Sequence, residues 1–261
     1  MLRKRRAFRL AFSRTVAQND APDPRARGRS MVDFRAARRA MVDGQIRTNG
    51  VTNLDLIGAM LDVPREAFVP ERQAALAYLD RDLPMPSGSG APRYLIKPEV
   101  TAKLIQAADV MPQDRVLVVG AATGYSAAIV SRLAAAVVAL EEDPGLAEMA
   151  QANLRHLGVA DVTVVTGPLS AGWPAAAPYD VILVEGGVET VPEALFNELS
   201  MGGRLITVLY EGRGDAAGPI DGKVGKATLY RDVRGEVGGR ALFDASAPLL
   251  PGFAKARAFV F

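Results

Sequence analysis

Between residues 115 and 209 the chain alternates short apolar runs with longer segments of mixed polarity. Arg115-Val116-Leu117-Val118-Val119 is rich in β-branched side chains and ends in glycine, the pattern of a strand buried on both faces. Val137–Glu141, Val162–Thr166, Asp180–Glu185 and Gly203–Leu209 read the same way. Between them, Tyr125–Ala135, Pro144–Leu157 and Pro192–Leu199 carry helical character, and Gly158 supplies a stop for the second of these. Such alternation predicts an α/β fold, a mostly parallel doubly wound sheet with helices on both faces. After a Gly/Asp-rich loop from Tyr210 to Gly225, Ala227–Asp232 and Arg240–Asp244 are strand-like with no helix between them. They predict a terminal antiparallel hairpin.

The region before Arg115 reads as helices and irregular chain. Phe34–Gln45 is a helix with Asp33 as its N-cap, and Leu54–Leu61 is a second, started by Thr52 or Asn53. Arg65–Pro70 and Ala74–Leu79 are short elements. Leu83 to Pro92 is so dense in Pro, Gly and Ser that it predicts a loop without regular structure. Pro98 suits the first turn of a helix running to Ala108. Three segments follow: a basic extension over 1–30, an N-terminal helical and loop region over 31–110, and the α/β domain over 111–261.

Charge separates the first segment from the rest. The chain has a net charge of +2, yet residues 1–30 hold nine Arg/Lys against Asp20 and Asp23, leaving residues 31–261 at −5. An acidic body argues against nucleic acid as a partner and moves any polyanion contact to the tail. The tail lacks the continuous apolar core of a secretory signal. It is open to three readings: an upstream start that adds a dispensable tail, a docking arm for a partner, or a peripheral contact with anionic lipid. No apolar run approaches the roughly 18 residues needed to span a bilayer. Cysteine is absent, which removes disulfides, thiolate metal sites and cysteine nucleophiles and suits a cytoplasmic home.

The candidate chemistry centres on Gly120-Ala121-Ala122-Thr123-Gly124-Tyr125. A strand, a small-residue turn and a helix start form the first unit of a nucleotide-binding domain. Gly120 can take a positive φ, and Gly124 permits close packing of helix on strand. The middle position, which should be small for a ligand to approach the backbone, carries the methyl of Ala122. Glu141 ends the next strand about twenty residues on, where an acid accepts ribose hydroxyls. His156, the only histidine, sits late in a helix and reads as surface or helix-end packing.

Met41-Val42-Asp43-Gly44-Gln45-Ile46, Val63-Pro64-Arg65-Glu66-Ala67-Phe68-Val69-Pro70, Gly124-Tyr125-Ser126-Ala127-Ala128, Gly172-Trp173-Pro174 and Ala177-Pro178-Tyr179-Asp180 together resemble the protein-L-isoaspartate O-methyltransferases. They stand in that family's order over roughly residues 31–210. The resemblance implies a Rossmann-like methyltransferase fold and S-adenosylmethionine as cofactor. It implies a protein or peptide acceptor and cofactor contacts at Gly120, Ala122, Gly124, Tyr125, Glu141 and Gly167. No metal is implied.

Three departures from the family pattern bear on activity. The acid two residues before the first glycine, which helps hold the methionine ammonium, is replaced by Val118. Gly-Asp-Gly after the third strand is replaced by Gly167-Pro168-Leu169, which loses the acid that meets the adenine amino group. Thr-Ile-Ser-Gln-Pro is replaced by Tyr94-Leu95-Ile96-Lys97-Pro98, with a few extra residues ahead, so Ile96 stands where the family has a substrate-contacting hydroxyl. Lys97 either attracts an acidic substrate or is a solvated partner of Glu99. Losing one charged and one neutral hydrogen bond costs roughly 2.5–4 kcal/mol, about two to three decades of affinity. Glu185, after the fourth strand, either replaces the missing acid at the ammonium or is structural. Two functions remain open from the sequence. One is a methyltransferase of the isoaspartyl-repair type with S-adenosylmethionine bound weakly or lost. The other is a silent scaffold serving as an accessory subunit of a larger assembly, a membrane-bound complex being one conceivable host.

Overall fold

The computed structural model describes residues 32–88, 91–210, 224–233 and 235–255. The basic extension and most of the Gly/Asp-rich loop fall outside these residues. The first helix, α1 (Phe34–Met41), is capped by Asp33, whose Oδ1 accepts the Ala36 N–H at 3.0 Å, and it runs on into a π-helical turn, Val42–Ile46. The second, α2 (Leu54–Asp62), is capped in the same way by Asn53. Short 3₁₀ turns at Arg65–Phe68 and Glu71–Leu76 lead to two strands, β1 (Leu83–Met85) and β2 (Arg93–Leu95), and then to α3 (Pro98–Ala108). The alternating part comprises β3 (Arg115–Val119), α4 (Tyr125–Val130), β4 (Ala136–Glu141), α5 (Pro144–His156), β5 (Val162–Thr166), β6 (Tyr179–Val188), α6 (Glu193–Asn197) and β7 (Leu199–Leu209). The hairpin β8 (Gly225–Val233) and β9 (Glu236–Ala245) completes the sheet.

The seven-stranded sheet has the order β5-β4-β3-β6-β7-β8-β9, parallel through β7 and antiparallel beyond it. The alternation of side chains along β3 and β6 divides the core between two faces. Val116, Val118, Val181 and Leu183 enter one apolar cluster, which continues into α1, α2 and α3; Leu117, Val119, Ile182 and Val184 enter another on the opposite face. Two-sided burial is the reason these strands are continuous apolar runs.

Three departures of the structure from the sequence reading bear on the site. The segment expected to be irregular, Leu83–Pro92, begins with β1, which pairs antiparallel with β2 just after it, Leu83 facing Leu95 and Met85 facing Arg93. Leu83, Met85 and Leu95 are buried, so tertiary packing supplies what local propensity lacked. Helix α4 ends at Val130 rather than Ala135, because the N–H groups of Ala135 and Ala136 both donate to Asp114 O and draw the chain back to begin β4. Finally, β6 and β7 are longer than their apolar runs, and their pairing is irregular between Leu183 and Gly187. Such an irregularity at the end of a strand re-aims a side chain, and here Glu185 lies within it.

Candidate functional site

The register aligns Val119 with Leu140 on one side and with Val184 on the other. One step further along, Gly120, Glu141 and Glu185 form a row at the carboxyl ends of β3, β4 and β6. This is the crevice where open α/β sheets hold ligands. The turn is built as its glycines require. Gly120 has φ +81° and Gly124 φ +94°, conformations that L side chains rarely adopt. Ala122 also sits in the left-handed region, at φ +47°, a strained position for a residue with a Cβ. That conformation turns its N–H to Glu141 Oε2 at 2.7 Å. The close neighbour of Gly124 is Ala150 on α5, whose Cβ would lie 3.3 Å from an added Cβ. The glycine thus serves helix–helix contact and not the helix–strand contact expected of it.

Glu141 is fully buried, and both its oxygens are taken. Oε1 accepts the Glu142 N–H at 2.9 Å, the Asp143 N–H at 3.1 Å and Arg93 Nε at 3.1 Å; Oε2 accepts Ala122 N–H and Arg93 Nη2, each at 2.7 Å. Arg93 is itself 3 % exposed, so this is a buried two-point ion pair. The sequence reading left Arg93 without a role. The available signal was the lengthened loop, which carries an arginine beside the substrate segment.

Glu185 is buried in a different way. Its Oε1 makes no hydrogen bond among the described residues, and burial pushes its carboxyl up to about 7, with Ser126, Arg65 and Arg93 pulling it back down. Ser126 lies close enough to act on Glu185, yet its Oγ makes no hydrogen bond of good geometry among the described residues; the Tyr125 hydroxyl and Arg65 Nη1 share that condition. Arg65 is wholly buried, its guanidinium 4.6 Å from the centre of the Tyr125 ring. Its Nε donates to Ala77 O and its Nη2 to Ile96 O, each at 2.7 Å. The Pro-Arg-Glu-x-Phe-Val-Pro segment therefore docks the helical region onto the turn. Phe68 stacks edge-on against Tyr125, and Phe68 O accepts the Thr123 hydroxyl at 2.5 Å.

The remaining candidate residues lie around this row. Ile96 is buried, its carbonyl held by Arg65. Lys97 donates its N–H to Asp82 Oδ1, and its Nζ lies 4.0 Å from Glu99, the partner one of its two readings gave it. Gly167 donates its N–H to Glu141 O at 3.1 Å, and an added Cβ there would meet the Trp173 ring at 3.4 Å. Val118 is enclosed between Ala139 and Leu183, with no polar role open to it. His156 is exposed at the end of α5. Among the described residues, no cluster of acids or histidine suits a metal, and no helix is long and apolar enough to cross a membrane.

Comparison with known proteins gives one answer along the chain. Residues 36–218 match the family model of protein-L-isoaspartate(D-aspartate) O-methyltransferase. A protein-L-isoaspartate O-methyltransferase of Koribacter versatilis is 40 % identical over 176 residues, covering 67 % of this chain and 78 % of that protein. The one from Methylorubrum populi is 44 % identical over 171 residues, 66 % of this chain and 78 % of its own. A solved protein-L-isoaspartate O-methyltransferase superposes with a TM-score of 0.68 at 27 % identity, covering 83 % of this chain and 67 % of that one. A Plasmodium falciparum structure described as a putative member in complex with S-adenosyl-L-homocysteine shares the fold at a TM-score of 0.61 and 18 % identity, over 82 % of this chain and 96 % of that one. With the family model matching well over half its length, and its glycine turn and following acid set where a nucleotide crevice needs them, the chain belongs to the protein-L-isoaspartate O-methyltransferase family.

Proposed function

We propose that the protein is an S-adenosylmethionine-dependent methyltransferase acting on carboxylates of protein or peptide substrates, isoaspartyl residues being the family's acceptor. The observation that carries this reading is the row Glu141–Gly120–Glu185 at the carboxyl edge of the sheet in a chain of this family. The donor supplies an electrophilic methyl on a sulfonium. Transfer forms an oxygen–carbon bond to the acceptor carboxylate and breaks a sulfur–carbon bond, the electron pair leaving with sulfur. No proton moves, so the chain needs no catalytic base; its task is positioning and exclusion of water.

In this proposal Gly120, Ala122 and Gly124 present backbone to the methionine half, and Glu141 meets the ribose. Gly167 and Tyr125 shape the walls. Glu185 takes the ammonium that Val118 cannot, which gives its unpartnered oxygen a partner and favours its ionised form. Arg65 positions the acceptor segment through the Ile96 carbonyl. Incubation with labelled donor and an isoaspartyl peptide is expected to yield a base-labile methyl ester. No ester above background at ~millimolar donor would count against the reading.

A further inference from the structure

The crevice that the proposed donor needs is occupied by the chain's own side chains. A carboxylate offers about four lone-pair sites, and Glu141 already accepts five donors. Three of them are backbone N–H groups fixed by the turn and the start of α5; the other two come from Arg93. Two ribose hydroxyls can therefore reach Glu141 only where Arg93 now sits. The glycine face is filled as well. A Cβ on Gly120 would stand 3.1 Å from Leu250 Cδ2 and 3.2 Å from Arg93 Nη2, and one on Gly186 would stand 2.5 Å from Leu250 Cγ. The space that glycines usually leave for a ligand to approach backbone is taken by an isobutyl group and a guanidinium.

Both side chains are carried on segments outside the seven-stranded sheet. Leu250 belongs to a strap, Ala247–Phe253, that crosses the ends of β3 and β6. It is clipped by Gly187 N–H to Pro248 O at 2.7 Å and by Leu250 N–H to Gly187 O at 2.9 Å. At its two ends Tyr210 OH meets Ala247, and Phe253 O accepts the N–H groups of Glu189 and Thr190. Arg93 stands on β2, half of a two-stranded pair whose isolated stability is marginal. Buried Leu249 and Phe253 anchor the strap on either side of Leu250, and buried Leu83, Met85 and Leu95 anchor the β1–β2 pair, so opening is a local displacement of Leu250 and Arg93 and not release of either segment.

We propose that Arg93 and Leu250 form a latch over the donor crevice, and that donor binding requires Arg93 to leave Glu141 and Leu250 to leave Gly120 and Gly186. This rests on the methyltransferase reading above, and it makes donor affinity depend on the fraction of molecules with the latch open. Removing the latch raises that fraction, so apparent affinity should rise without any new contact.

The test is calorimetric titration of S-adenosylhomocysteine into the full chain, Leu250→Ala and Arg93→Gln, with thermal melting of each to establish that it is folded. Both variants are expected to bind roughly tenfold or more tightly than the unaltered chain. Should Arg93→Gln fail to fold, Leu250→Ala decides. Equal or weaker binding by a folded variant overturns the latch while leaving the donor reading intact. Absence of binding by all three overturns the donor reading, and the latch with it. An independent readout is amide exchange in the unaltered chain. Ligand should accelerate exchange at Leu250 and Gly187 as Leu250 is displaced, whereas slowed exchange there would contradict the latch.

Discussion

Two acids flank the same glycine turn, both buried, in opposite electrostatic states. Glu141 is surrounded by five donors, including a two-point arginine. Glu185, on the other side of Gly120, has an oxygen with no hydrogen-bond partner among the described residues and a carboxyl raised to about 7 by burial. Burial alone does not decide whether a carboxylate is a strut or a reserve; the donors that reach it do. In this conformation Glu141 is satisfied and serves the fold. Glu185 is held at a cost that a cationic ligand group would offset.

The largest way to break that comparison is to remove the satisfied acid. Glu141→Ala strands Arg93 and three backbone N–H groups in a dry site, with an expected loss of about 3–5 kcal/mol, measured by urea denaturation. A loss below ~1 kcal/mol would mean that water already reaches the pair.

The unsatisfied acid should behave in the opposite sense, through pH. Its carboxyl is raised from 4.5 in the unfolded chain to about 7 when folded, so between those values the folded state binds more protons. Its contribution to stability is therefore most favourable below 4.5 and falls as pH rises through 7, by about 3 kcal/mol in all. Glu185→Gln should remove this fall, making the variant more stable than the unaltered chain at pH 8 and similar at pH 4.5. Parallel stability profiles for the two proteins would show that Glu185 is not desolvated.

The smallest effect concerns the link between turn and acid. Ala122 donates to Glu141 from φ +47°, and Ala122→Gly relieves that strain while keeping the hydrogen bond. Entropy gained by the unfolded chain offsets part of the benefit, so stabilisation by up to about 1 kcal/mol is expected, read from the midpoint of chemical unfolding. Destabilisation would mean that the methyl packs usefully in its buried place.

Much of this fold was legible because its signals are local. Apolar runs mark β3 to β7, although β5, at the sheet edge, is only half-buried; Asp33 and Asn53 cap helices as expected, and Gly120 and Gly124 take the left-handed conformations the turn needs. Glu141 was placed correctly at the end of β4, beside the turn. What it touches was not legible, because Arg93 lies 48 positions away in sequence and on a strand whose Pro/Gly-rich surroundings argue against regular structure. Leu250 is harder still. Nothing about one leucine in a Pro-rich tail says that it will lie on Gly120 and Gly186. The polar condition of Glu185 depends on a local irregularity of β6, which side-chain alternation alone cannot announce.

The most direct test of this account is a crystal structure of the full chain with S-adenosylhomocysteine bound. The expected result has the ribose hydroxyls on Glu141, Arg93 displaced from it, and Leu250 lifted from Gly120 and Gly186. Ligand bound elsewhere, with the Arg93–Glu141 pair intact, would contradict it.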